Sequence, residues 1–157
     1  MLLILPLSVT FPLKTKKDHT VKYSLNEYML DLSDKSWNNT RKPNHAYQFK
    51  AKKYLQDLVK NQLSTQNPLT DPWPKKVTLT IFRGSNMHMD IIDNAVVLIK
   101  FAMDVVKINH APDDYWAYFS ESTMRDGGLD KENPRAELLI EDIEQVACDE
   151  IKDDKLA

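Results

Sequence analysis

Aspartates bracket one apolar run in this chain. In "MDIIDNAVVLIKFAMDVVKINHAPDD", residues 89–114, Asp90 and Asp93 stand in front, Asp113 and Asp114 behind, and Lys100 and Asp104 break the run. Three carboxylates within about 4–5 Å repel and shift each other's pKa unless a cation sits between them. An oxygen-only donor set of this kind selects Mg²⁺ or Mn²⁺, which keep several waters and also bind phosphate oxygens. A lysine on the same helical stripe supplies a point charge for a phosphate. The same residues also fit a purely structural arrangement. Asp93 sits where an N-cap belongs, close to the helix's positive end. Lys100 then pairs with Asp104 at i+4 on a solvent-facing seam. Capping leaves Asp90 and the Asp113–Asp114 pair without a role.

The elements around these residues must position them. If residues 93–107 are a helix, Asp93, Val97, Lys100, Asp104 and Lys107 share one stripe. Val96, Leu98, Ile99, Phe101, Met103, Val105 and Val106 then require burial. Ahead of it, "KKVTLTIFR" alternates Val77, Leu79 and Ile81 with Thr78, Thr80 and Phe82, as a strand with one core face does. "GSNMHM" is the turn that delivers the chain to the aspartates, with His88 either touching the site or a solvent-exposed turn histidine. After the helix, "YWAYFSEST" reads as a strand whose Trp116 and Tyr118 share a face, as core or dimer contacts. "MRDGGLDKENP" reads as a loop and "RAELLIEDI" as the last strand. The strand–turn–helix–turn–strand path is antiparallel in character, which lets the two aspartate groups meet.

Upstream, "MLLILPLSVTFPL" reads as a buried first strand. It lacks the basic region of a signal peptide and is too short to span a bilayer. A long, basic, polar loop covers residues 14–45. "AYQFKAKKYLQDLVKNQL" follows as an amphipathic helix through Tyr47, Tyr54, Leu55, Leu58 and Leu63, with Lys50, Lys53 and Lys60 on a solvent face. The expected fold is α/β (α+β): a small single domain over residues 1–143, with a mixed sheet of about four strands and two main helices. Residues 144–157 form an acidic tail.

Composition narrows the class further. At 157 residues, 42% hydrophobic and 28% charged, the chain suits one soluble globular domain. Its single cysteine, Cys148, makes no internal disulfide, and no Cys/His cluster offers a zinc site, so the expected compartment is the cytoplasm. Residues 1–86 hold 14 Lys/Arg against 6 Asp/Glu, and the remainder holds 7 against 17. A basic half suits a polyanion, while acidic clusters suit metal ions or a solvated tail.

These runs resemble the RusA family of Holliday junction resolvases, crossover junction endodeoxyribonucleases common in phages and prophages. That family carries a D-x-D-N-x-x-K run entering a helix, an aspartate one turn past the lysine, and a D-D pair about ten residues later. Here "DIIDN" (Asp90, Asp93, Asn94), "KFAMD" (Lys100, Asp104) and "PDD" (Asp113, Asp114) occur in that order. The likeness spans roughly residues 1–143, with its specific part in 90–114. Two spacings differ. Ile91 and Ile92 separate Asp90 from Asp93 where the family has one residue, and Lys100 lies seven positions after Asp93 where the family has four. Four and seven keep one helix face, and an earlier helix start or a bulge realigns Asp90.

The resemblance implies a homodimer on four-way DNA, with one Mg²⁺-dependent active site per subunit (Mn²⁺ as a substitute) making symmetric nicks. Asp90, Asp93 and Asp114 would hold the metal, with Asp113 as the alternative ligand. The metal would activate a water for in-line attack on the phosphodiester. Lys100 would steady the scissile phosphate, and Asn94 would orient a carboxylate. Lys14, Lys16, Lys17, Lys22, Arg41 and Lys42 become candidate phosphate contacts, making binding steeply salt-dependent. Trp37 and Tyr23 are candidates for stacking on unpaired bases or for local packing. Two other functions fit the same residues: a branched-DNA binder without catalysis, and a phage-type protein–protein adaptor with the apolar helix in its core.

Overall fold

The computed structural model describes residues 1–12, 20–24, 45–86, 91–113 and 116–144, with the backbone alone for 10–12, 20–24, 45–48, 91–95 and 97. The elements are β1 (Leu2–Pro6), β2 (Ser8–Pro12), β3 (Thr20–Ser24), α1 (His45–Leu63), β4 (Lys75–Arg83), α2 (Ile91–Asn109), β5 (Phe119–Leu129) and β6 (Arg135–Asp142). Four strands form a mixed sheet in the order β1-β6-β4-β5, and β2 pairs with β3 in a separate two-stranded sheet. The α+β arrangement with two helices and a four-stranded mixed sheet agrees with the sequence reading.

Strand parity builds the core. Leu3 and Leu5 of β1, Val77, Leu79 and Ile81 of β4, and Ala136, Leu138 and Ile140 of β6 are all buried, and the register sets them side by side on one sheet face. That face is covered by α1 through Ala51, Leu55, Val59 and Leu63, a strict i+4 series. α2 covers it through Leu98, Phe101, Ala102, Val105 and Val106. The expected inner face of α1 was therefore rotated: Tyr54 is exposed and Leu58 only half-buried, because small Ala51 and branched Val59 let the helix approach the sheet. Lys50, Lys53 and Lys60 do lie on the exposed face. On α2, Val96 is exposed instead of buried. Among the described residues no helix is long and apolar enough to cross a membrane.

The N-terminal run is two strands in two sheets, not one buried strand. β1 lies at the sheet edge, so Leu2 and Ile4 are exposed while Leu3 and Leu5 are buried. A run of consecutive leucines hides that alternation. Residues 20–24, read as loop, form β3, which pairs antiparallel with β2 from Ser8↔Ser24 to Pro12↔Thr20. "DGG" belongs to a strand as well. β5 runs through it by a bulge in which Ile81 faces Asp126 and Phe82 faces Gly128, leaving Gly127 as the extra residue. Trp116 and Tyr118 precede β5 in a turn and share no strand face; Trp116 is 79% exposed.

α1 ends where side chains take its last carbonyls. Ser64 Oγ donates to Asn61 O at 2.7 Å and Thr65 Oγ1 to Gln62 O at 3.0 Å. His110, assigned no role from the sequence, ties the two helix ends together. Its Nε2 lies 3.1 Å from Leu63 O, and its carbonyl accepts from Leu69 N at 3.0 Å.

Candidate functional site

The connection that matters most is β4–α2–β5. β4 and β5 pair in parallel, so the path is a crossover and not antiparallel as expected from the sequence. α2 therefore starts at the C-terminal end of β4 and returns the chain to the N-terminal end of β5. It has 19 residues, and the axis from Asp93 to Asn109 is about 24 Å. Asp93 and Asp113 thus belong to opposite ends of the helix. Asp90 is only three residues from Asp93 and Asp114 one from Asp113.

The helix begins at Ile91, so Asp93 lies in its first turn and not at the N-cap. Asp90 and Asp114 lie outside the described residues, and the side chains of Asp93 and Asn94 are not described. Asp113 is half-buried in the turn after α2. Among the described residues no three His, Cys, Asp or Glu side chains converge on a metal-sized site. Of the phosphate-contact candidates, Lys22 lies in β3, and Lys14, Lys16, Lys17, Arg41 and Lys42 fall outside the described residues, as do Trp37, His88 and the acidic tail from residue 145.

Lys100 is exposed and forms no ion pair among the described residues. The expected Lys100–Asp104 pair is not made. Asp104 turns toward α1, where Lys52 Nζ lies 3.7 Å from it, and Lys107 Nζ approaches from the next turn at 3.9 Å. Lys52 also sits 5.3 Å over the Phe101 ring, which fixes its stem between the helices. The outcome is an α2 surface that carries, two turns along from Asp93, a cation without an ion pair among the described residues.

Two arginines near the α2 start are already neutralised. Arg83 makes a two-point pair with Asp126, at 3.1 and 2.9 Å. Arg135 bonds Asp130 at 2.7 Å and Glu137 at 2.8 Å while lying 4.1 Å over Phe82. The amide of Gly128, then Arg83, hold the Asp126 carboxyl below the usual aspartate value. The amide of Asn133, then Arg135, do the same for Asp130. These pairs brace the β5–β6 end of the sheet.

At the sheet's other end a groove of about 580 Å³ runs between Met1, the residues after α1, Lys75 and the end of β6. Lys75 is 4% exposed, pairs with Asp142, and lies 5.2 Å over Trp73. Sequence reading passed over it, although its parity with Val77, Leu79 and Ile81 assigns it to the inner face. Comparison of this chain with protein-family models, curated proteins and solved structures finds no match.

Proposed function

We propose that this chain is a metal-dependent, structure-selective DNA endonuclease of the RusA type that nicks four-way junctions as a homodimer. The observation that carries the reading lies in α2: an aspartate in its first turn and, seven residues on, an exposed lysine with no ion pair among the described residues. Because α2 separates the two aspartate groups, a complete oxygen site takes Asp90 and Asp93 from one copy and Asp113 or Asp114 from the other. When bound there, Mg²⁺ supplies an activated water and offsets charge on the reacting phosphate. Lys100 holds the phosphate as a point charge, and Lys14, Lys16, Lys17, Lys22, Arg41 and Lys42 contact the flanking backbone. Phage or prophage origin and a cytoplasmic setting belong to the same reading.

The test is cleavage of a labelled four-way junction with Mg²⁺, beside EDTA, Asp93→Asn and Asp114→Asn. Paired nicks should vanish in all three controls. Mixing the two inactive variants should restore nicking, since each mixed dimer keeps one site with both wild-type aspartates. Full activity of Asp93→Asn overturns the reading. Junction binding without cutting by the wild type points to a non-catalytic binder. A protein-binding adaptor is the second reading, favoured by Trp116 at 79% exposure, and absence of any DNA affinity at low salt would select it.

A further inference from the structure

The two edges of the sheet are treated differently. The edge of β1 is occupied by the end of α1 and the turn after it. Gln62 donates to Ile4 O and accepts from Ile4 N, both at 2.7 Å, while Gln66 donates to Leu2 O at 2.8 Å and accepts from Leu2 N at 3.2 Å. Each amide side chain imitates a neighbouring strand residue. β5, the other edge, has 11 residues and no strand on its outer side among the described residues. Ser120, Glu121, Ser122, Arg125 and Asp126 are exposed along it. It contains no lysine or proline, the usual edge blockers, and its register shifts fall near its two ends, at Ser120 and Gly127, leaving Glu121–Asp126 regular.

Glu121 and Arg125 point to the same sheet face, opposite the helices, and neither has an ion-pair partner among the described residues. Four positions apart on a strand, they are about 13 Å from each other and cannot meet within one chain. We propose that β5 is a self-complementary interface that pairs antiparallel with β5 of a second copy about a two-fold axis at Thr123. That register sets Glu121 opposite Arg125 of the second copy twice over, and Phe119 opposite Gly127. Centring the axis on Glu121 or Arg125 instead sets like charges face to face, which disfavours those registers.

The product is one continuous eight-stranded sheet whose two α2 helices run antiparallel on the same side. The surface rests on this edge chemistry and not on the nuclease reading. It nevertheless supplies what that reading requires, since the Asp93 end of one α2 then lies on the same side of the axis as the Asp113 end of the other.

Sedimentation velocity over a concentration series tests the interface without any cleavage assay. Wild type should dimerise. Glu121→Arg and Arg125→Glu should each weaken the dimer by about tenfold or more, because each reversal creates two like-charge contacts. The double variant E121R/R125E should dimerise like wild type, which also shows that the reversals leave the fold intact. Thr123→Cys, in a Cys148→Ser background, should cross-link to itself on mild oxidation. A monomeric wild type, a dimer indifferent to either reversal, or a double reversal that fails to restore association would each overturn the proposal.

Discussion

Lys75 and Asp142 form an unequal pair, and the inequality predicts opposite outcomes for two conservative substitutions. The lysine is 4% exposed, whereas the Asp142 side chain is 63% exposed. In Asp142→Asn the ammonium stays buried beside the Trp73 ring without its counter-charge. Breaking a fully buried pair costs about 3–5 kcal/mol, and a hydrogen bond to a charged group is worth about 1.5–3. With one partner largely in water, the expected loss is about 2 kcal/mol. In Lys75→Met the stem contacts remain, the buried charge disappears, and Asp142 is left solvated. Stability should then stay within about 1 kcal/mol of wild type, or rise. Urea unfolding at pH 7, with unchanged m-values, measures both, and the double variant should resemble Lys75→Met. A Lys75→Met loss equal to or larger than that of Asp142→Asn refutes the reasoning.

The two adjacent glycines of β5 should fail for different reasons. A Cβ on Gly127 meets the Phe82 ring at 2.8 Å and Thr80 Cγ2 at 2.9 Å, so Gly127→Ala should cost about 1–3 kcal/mol by overpacking. Gly128 has open space but φ of 90°, so Gly128→Ala should cost about 1 kcal/mol through backbone strain, read by the same unfolding curves. Thr78 is buried with no hydrogen-bond partner for its hydroxyl among the described residues, so Thr78→Val should gain about 1 kcal/mol in thermal or urea unfolding. The carboxyls of Asp126 and Asp130 are depressed on folding, so their contribution is complete above the unfolded value near 3.8 and drains away as pH falls through the native values. Urea midpoints compared at pH 6 and pH 3 should therefore converge between wild type and Asp126→Asn. Gln62→Ala with Gln66→Ala should cost about 1 kcal/mol in stability and produce species larger than the wild type's, growing with concentration, seen by light scattering.

The fold class was legible because β4 and β6 alternate cleanly and α2 carries an unbroken apolar surface. Less legible were features decided by tertiary neighbours. "LLILP" reads as buried throughout, yet an edge position exposes Leu2 and Ile4. "RDGG" carries turn composition, yet the Phe82 ring and one bulge keep it in a strand. The direction of β5 relative to β4 is invisible locally, since a 19-residue helix can return the chain either way. That direction decides whether Asp93 and Asp113 can share a site in one copy. Lys100 was correctly assigned to an exposed surface, but its pairing was not, because Lys52 approaches Asp104 from 52 positions away in sequence.

The glutamines at the end of α1, Gln62 within it and Gln66 just beyond, have a consequence for how large an assembly can become. Polymers grow only from units with two reactive ends. A sheet whose two edges were both open would be such a unit, and each addition would regenerate the end it consumed. Here Gln62 and Gln66 make β1 a terminated end, so the proposed pairing through β5 would leave no open edge of this sheet among the described residues. Growth along the sheet would then stop after one step, giving a closed pair instead of a fibre. Two amide side chains, one in the last turn of α1 and one just after it, would thereby limit what a long open strand otherwise leaves unlimited.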